Sequence, residues 1–208
     1  MTGSESLGAR AARSWWSPAD PRFFLPRTLG FGWDINFGAV AVKLGLIEPD
    51  AENVPFESTP DSAFRLAAVL PTACAAATIA HYAVRGRSLP DPLPANWGLA
   101  GNANRWMSKR SAAASDLAMT VLPAGLAWWA ASRRGGSGPE RAGIAATGTM
   151  LASIGAATTV LRSLPDRRRW WVGPALVKAA FVPVGATLLG LALAGRSAEI
   201  ERDLASGA

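Results

Sequence analysis

A chain of 208 residues could fold as one domain, but half of its residues are hydrophobic and its formal charge is +6, a pairing that fits neither an acidic soluble enzyme nor a disordered tail. One cysteine excludes an internal disulfide or a thiolate metal cage, and one histidine argues against a histidine triad or zinc site. The basic residues flank apolar runs and form no stripe on a polar face, so anionic lipid is the expected partner and nucleic acid is not.

In chain order, residues 1–17 are rich in Ser, Gly, Ala and Arg without a sustained period and are expected to be a disordered tail. They lack an apolar stretch with a small-residue cleavage site, so no removable signal peptide is expected. Residues 18–47 bring aromatics and cations together and end in an apolar run too short to cross a bilayer. Trp33, Phe37, Val40 and Leu44 recur at helical spacing, which predicts an interfacial amphipathic helix with Lys43 snorkelling; a re-entrant or core helix packed on the bundle is the alternative. Residues 48–63 hold Glu48, Asp50, Glu52, Glu57 and Asp61 among three prolines and read as an acidic linker.

Four apolar runs follow, at 64–84, 112–131, 141–161 and 172–195, each about the 20 residues that a helix needs to cross roughly 30 Å of hydrocarbon. The expected fold class is therefore an all-α integral membrane protein with four transmembrane helices preceded by an interfacial amphipathic segment, in the cell membrane and multi-pass, and ending in a polar tail at 196–208. Pro71, Pro123 and Pro183 predict kinks in three of the runs. Gly148, Ala152, Gly155 and Ala156 predict that the third helix lies centrally, and Ala186, Gly190 and Ala194 give the fourth a second small-residue face. Trp106, Trp128, Trp129, Trp170 and Trp171 mark the ends of the runs as interface belts.

With four spans both termini share one side, here side A, and the 85–111 and 162–171 connections share side B. Side A carries Arg65, Arg133, Arg134, Arg141, Arg196 and Arg202 near helix ends. Side B carries Arg85, Arg87, Arg105, Lys109, Arg110, Arg162, Arg167, Arg168 and Arg169, and the positive-inside rule places side B in the cytoplasm.

Residues 89–109 (LPDPLPANWGLAGNANRWMSK) are not an ordinary linker. Pro90, Pro92 and Pro94 hold the backbone extended, Gly98 and Gly101 permit turns at positive φ, and Trp97, Arg105, Trp106 and Lys109 supply anchors for a headgroup layer or a ligand. The segment is expected to be a structured loop folded against the bilayer. Asp116 and Lys178 fall at matched depth, four and six residues inside their runs from side B, which suggests an ion pair. His81 lies near the same end beside Tyr82, and Thr158 and Thr159 approach it from the third run, so an intramembrane polar cluster of His81, Asp116 and Lys178 is expected there. Its roles divide between a ligand or proton site and a structural staple. Phosphate-binding loops, the dinucleotide glycine fingerprint, metal spacings and the G-x-S-x-G elbow are all missing, so no catalytic residue, metal or cofactor is assigned.

The loop, with its Pro90, Pro92, Pro94, Trp97, Gly98, Gly101, Arg105, Trp106, Ser108 and Lys109, resembles the signature of the domain of unknown function 1648, found in SdpI-like toxin-immunity membrane proteins. The resemblance covers residues 64–131, and residues 20–38 resemble a short module of unknown function attached to such proteins. It departs at Asn96, commonly His in that family, and Asn104, commonly Asp, which removes titratable groups. It implies a small bacterial membrane protein that protects against a secreted peptide toxin or takes part in signalling, with an outward-facing loop, against the charge count. The expected function is thus non-catalytic binding of a peptide or partner through residues 89–109. An accessory subunit of a larger membrane complex is the alternative, and transport through the Asp116/Lys178 region ranks third.

Overall fold

The computed structural model describes residues 13–27, 32–51, 54–98, 100–133, 136–164 and 169–207. Most of the expected tail, residues 1–12, lies outside them, as do Arg134, Arg167 and Arg168 of the charge count. The described chain is mainly helical, with two small β-hairpins that the all-α expectation lacks. In order, the elements are β1 (Phe24–Pro26), β2 (Trp33–Ile35), α1 (Phe37–Lys43), α2 (Val54–Glu57), α3 (Asp61–Ala67), α4 (Val69–Arg85), β3 (Leu93–Trp97), β4 (Ala103–Met107), α5 (Lys109–Ser132), α6 (Gly138–Ser163) and α7 (Val172–Ser206).

Three helical segments are long and apolar enough to cross a membrane: Asp61–Arg85, Gly138–Ser163 and Val172–Ser206. In the first, α3 and α4 are separated by a turn at Ala68. Pro71 explains it, because proline supplies no N–H to the carbonyl four residues back, that of Ala67. α7 continues to Ser206, so the expected polar tail is largely a helical extension.

α6 packs on α4, α5 and α7. Its buried positions include Ala142, Ala145, Ala146, Gly148, Thr149, Ala152 and Gly155, small enough for backbones to approach closely. A side chain at Gly148 would press on the Pro123 carbonyl and one at Gly155 on Thr120. The facing stripe of α5 is also small: Ala112, Asp116, Thr120, Ala124, Ala127 and Ala131. Ser108 and Ser137 cap α5 and α6 by accepting the N–H of Ser111 and Glu140.

The N-terminal region departs most from expectation. Trp15 and Trp16 belong to the core with Ala41, Ile47, Phe56, Phe64, Ala142, Ala146, Val184, Leu188 and Leu191, so the end of the expected tail, from Ser14 on, is packed. The predicted amphipathic helix is shorter: Trp33 lies in β2, and the helix begins only at Phe37. α1 buries Gly38, Ala39 and Ala41, while Trp33 and Leu44 are exposed. Phe37 stands against Gly185 in the middle of α7, and Arg196 donates to the Leu46 carbonyl at 2.6 Å, so α1 lies along α7 as a docked element. The acidic linker is likewise built in. Phe56 is fully buried edge-on against Trp16, and the Thr59 hydroxyl donates to the Pro55 and Leu191 carbonyls, each at 2.9 Å.

This seating predicts a contrast within α7. A Cβ at Gly195 would overlap the Pro55 carbonyl, whereas one at Gly190 meets nothing within 4 Å. Gly195→Ala should cost about 1–3 kcal/mol through displacement of α2. Gly190→Ala should be neutral or stabilising by up to about 1 kcal/mol from helix propensity. Thermal melts in one detergent check the pair; equal melting temperatures would refute the packing.

Candidate functional site

The side-B end of the bundle is closed by the β3–β4 hairpin, which grows directly from the prolines and glycines of residues 89–109. The strands pair antiparallel with Leu93 opposite Met107, Pro94 opposite Trp106, Asn96 opposite Arg105 and Trp97 opposite Ala103, with irregularities on both sides of Asn96. The Asp91–Pro92 peptide bond is cis. Gly101 takes positive φ (76°) and is buried against the backbone of Arg169, where any Cβ would collide with the Arg169 carbonyl; Arg169 N–H donates to the Gly101 carbonyl at 3.1 Å. Gly98, expected to share the positive φ, does not; its N–H closes the turn onto the Asn102 carbonyl at 3.0 Å.

The loop is a structured segment folded on the protein. Leu93 is fully buried with Leu89 and Ala112, flanked by Tyr82 and Met107. Lys109, expected to contact a ligand, is instead an internal clasp. Its backbone N–H donates to Asp91 Oδ1 at 2.9 Å and its Nζ to the Leu89 carbonyl at 3.1 Å, tying the start of the loop to the start of α5. Trp97 is half-buried, Pro90 and Pro92 are exposed and Pro94 is buried. Of the four expected contact residues, Arg105 and Trp106 face outward, beside Asn96 and Asn104.

Beneath the hairpin lies a buried polar network centred on Arg162, in the last turn of α6. Its Nη1 pairs with Asp116 Oδ1 and also approaches the Ala112 carbonyl at 3.3 Å. Its Nε donates to the Pro94 carbonyl at 2.9 Å and Nη2 approaches that of Ala95 at 3.4 Å. Tyr82 Oη donates to Asp116 Oδ2 at 2.7 Å. The two ion-pair side chains are 5% and 2% exposed. A pair so far out of water is tolerated only when its remaining hydrogen-bonding capacity is met, as it is here by the hairpin carbonyls and Tyr82.

Asp116 therefore pairs with Arg162, and the expected Asp116–Lys178 pair is corrected: Lys178 lies exposed on α7, off the stripe of Ala180, Val184, Leu188 and Leu191 that faces inward. His81 bonds to the Ser163 hydroxyl at 2.7 Å and stands edge-on to Tyr82 at 5.5 Å, adjoining the network. Sequence reasoning misses Arg162 because a cation ending an apolar run counts toward the flanking charge of the helix and carries no local sign of burial. The signal was present in Ala112, Asp116, Thr120 and Ala124, which share a face at four-residue spacing and point Asp116 at α6.

A second buried arginine closes the other end of α6. Arg141 Nε donates to the Ala130 carbonyl at 2.8 Å, and Nη2 pairs with Asp61 at 2.7 Å and approaches the Ala131 carbonyl at 3.3 Å. Its guanidinium stacks 4.0 Å from the Phe64 ring.

In the N-terminal module, fully buried Asn36 accepts from the N–H of Ser17 and Ala39 at 2.9 and 3.2 Å. It donates to the carbonyls of Ser17, Asp20 and Arg22 at 2.8, 3.0 and 3.0 Å. Arg27 pairs with buried Asp34, and the Arg22 guanidinium, hydrogen-bonded to Asp20, holds that carboxyl at about 2. On the far flank, Ala63, Leu66, Ala67 and Leu70 of α3 and α4 and Ala186, Gly190 and Ala194 of α7 line an open apolar groove of about 260 Å³.

Residues 18–43 match a family of unknown function (DUF5808), and this stretch runs from the loop held by Asn36 through β1 and β2 to the last residue of α1. No curated protein and no solved structure matches the chain.

Proposed function

We propose that this chain is a four-span, non-catalytic binding protein of the bacterial cell membrane, whose recognition face is the outward side of the β3–β4 hairpin. The fourth span would be α5. Its 24 residues suffice for a crossing, and Val121, Leu122, Leu126, Trp128 and Trp129 are exposed around it, an apolar girdle suited to lipid. The observation that carries the binding reading is the attachment of the hairpin to Arg162. A two-stranded hairpin alone is marginal in water, and this one is held through the Pro94 and Ala95 carbonyls, so its outer surface is preorganised. That anchorage occupies the β3 side. Among the described residues β4 pairs with β3 only, leaving its other edge for an extended peptide between Arg105 and Trp106. The resemblance of residues 89–109 to immunity proteins supports the same ligand class, a secreted peptide.

The double variant Arg105→Ala/Trp106→Ala tests this. Both side chains are exposed, so the melting temperature should stay within about 1 °C of the parent, from a surface effect of no more than about 0.5 kcal/mol. Protection of a deletion strain against peptide toxins of its competitors should be lost. Full protection by the double variant would refute the hairpin reading.

The alternative, an accessory subunit of a larger membrane complex, is favoured by one observation, the open groove along Ala186, Gly190 and Ala194, where a partner helix could approach closely. The small-residue face of α6 is no longer a candidate contact, since α5 fills it. Blue-native electrophoresis of solubilised native membranes separates the readings: migration at the size of the isolated chain excludes the subunit.

A further inference from the structure

We propose that the side-B end of α7 holds the phosphate group of an anionic phospholipid, with Lys178, Trp171 and Arg169 as its contacts. The Thr149–Thr187 contact at 3.5 Å sets the register of the antiparallel helices α6 and α7. Counted from it, Arg162 lies level with residue 174 of α7, and Lys178 is four residues, about 6 Å, farther from the side-B end. Lys178 is exposed, and Val177 and Val182 on either side of it are 56% and 64% exposed, so it emerges from an apolar, lipid-facing surface. A lysine stem of four carbons can climb such a distance along the helix and place its ammonium among the headgroups.

What it meets there is built by the fold. Trp171 lies two turns above Lys178 on the same face and is partly exposed, and the Arg169 guanidinium stands 5.9 Å from its ring. The backbone of Arg169 is fixed by the hairpin tip through the Gly101 carbonyl. The charge at this end of the bundle as a whole favours an anion. Arg85, Arg87, Arg105 and Arg110 are exposed at this end, and among the described residues the exposed carboxylate here is Asp91, already engaged with the Lys109 N–H. The chemistry is that of a phosphate diester clamped by two cations beside an indole, with its acyl chains along Val177 and Val182. The site is separate from the outward face of the hairpin and stands whether or not that face binds a peptide.

The test uses the purified full chain in neutral detergent, titrated with phosphatidylglycerol or phosphatidylcholine, with retained lipid counted by native mass spectrometry. Phosphatidylglycerol should be retained at least fivefold better than phosphatidylcholine. Lys178→Gln and Arg169→Gln should each lower its retention about fivefold, the expected worth of one cation near an anionic lipid. Arg65→Gln, an exposed cation on side A, should change nothing. Inorganic phosphate and glycerol phosphate should fail to compete, and equal competition would replace the lipid by a soluble phosphate and overturn the proposal. Equal retention of both lipids, or undiminished phosphatidylglycerol on the Lys178 and Arg169 variants, would also overturn it. Far-ultraviolet circular dichroism of each variant before titration separates loss of the site from loss of the fold.

Discussion

Arg162→Met is expected to be the most damaging single change in the bundle, lowering stability by about 3–5 kcal/mol and the melting temperature by about 10 °C or more. The cost has two sources that can be separated. The first is electrostatic: Asp116, 2% exposed, would be left as a buried carboxylate without its cation. The second is the loss of donors to the Pro94, Ala95 and Ala112 carbonyls, which releases the hairpin. Adding Asp116→Asn removes the stranded charge and keeps an acceptor for the Tyr82 hydroxyl, so the double variant should recover a large part of the melting temperature. It should not restore the hairpin. Amide exchange at residues 93–107 should stay fast in both variants, and a double variant that regained slow exchange there would show that Arg162 does not hold β3. Arg162→Lys should fall between, since a point charge satisfies Asp116 but cannot span the carbonyls around it.

The second large effect is expected at Asn36, and it should be local. Asn36→Ala removes the group that caps α1 and ties down Ser17, Asp20 and Arg22, a loss of about 2–4 kcal/mol concentrated in residues 13–47. Trypsin should then cut after Arg22 and Arg27 at least tenfold faster, while α4 to α7 stay resistant. Asn36→Asp sharpens the test. At most helix starts Asp replaces Asn without loss, but here the amide nitrogen points at three carbonyls, and a carboxylate oxygen in its place would repel each of them. Asp should therefore be no better than Ala. Rapid tryptic cleavage only in the Ala variant would show that the cap, and not the donor side of Asn36, holds the module.

The long helices were legible because their cause is one-dimensional: a run of about 20 apolar residues and a small-residue period on α6 act through length and spacing alone. The hairpin was legible as a structured segment from Pro90, Pro92, Pro94 and Gly101, but its support was not. Depth can be counted along a helix, whereas the direction in which Asp116 or Lys178 points depends on how the helices are rotated against one another. That rotation turned Asp116 toward Arg162 and Lys178 outward. The N-terminal reading failed for a related reason. Trp15 and Trp16 lie in a polar, low-complexity stretch and become core only because α6 and α7 present Ala142, Ala146, Val184 and Leu188 to receive them. The acidic run hid Phe56 and Thr59, whose burial on α7 no local period announces.

Arg141 and Arg162 stand 21 residues apart on α6, about 31 Å along its axis, and each grips carbonyls of α5 at its own end. A piston stroke of α5 past α6, even of one turn or about 5.4 Å, would break both grips at once. The two helices are therefore fastened to each other near both ends, which opposes sliding of one along the other.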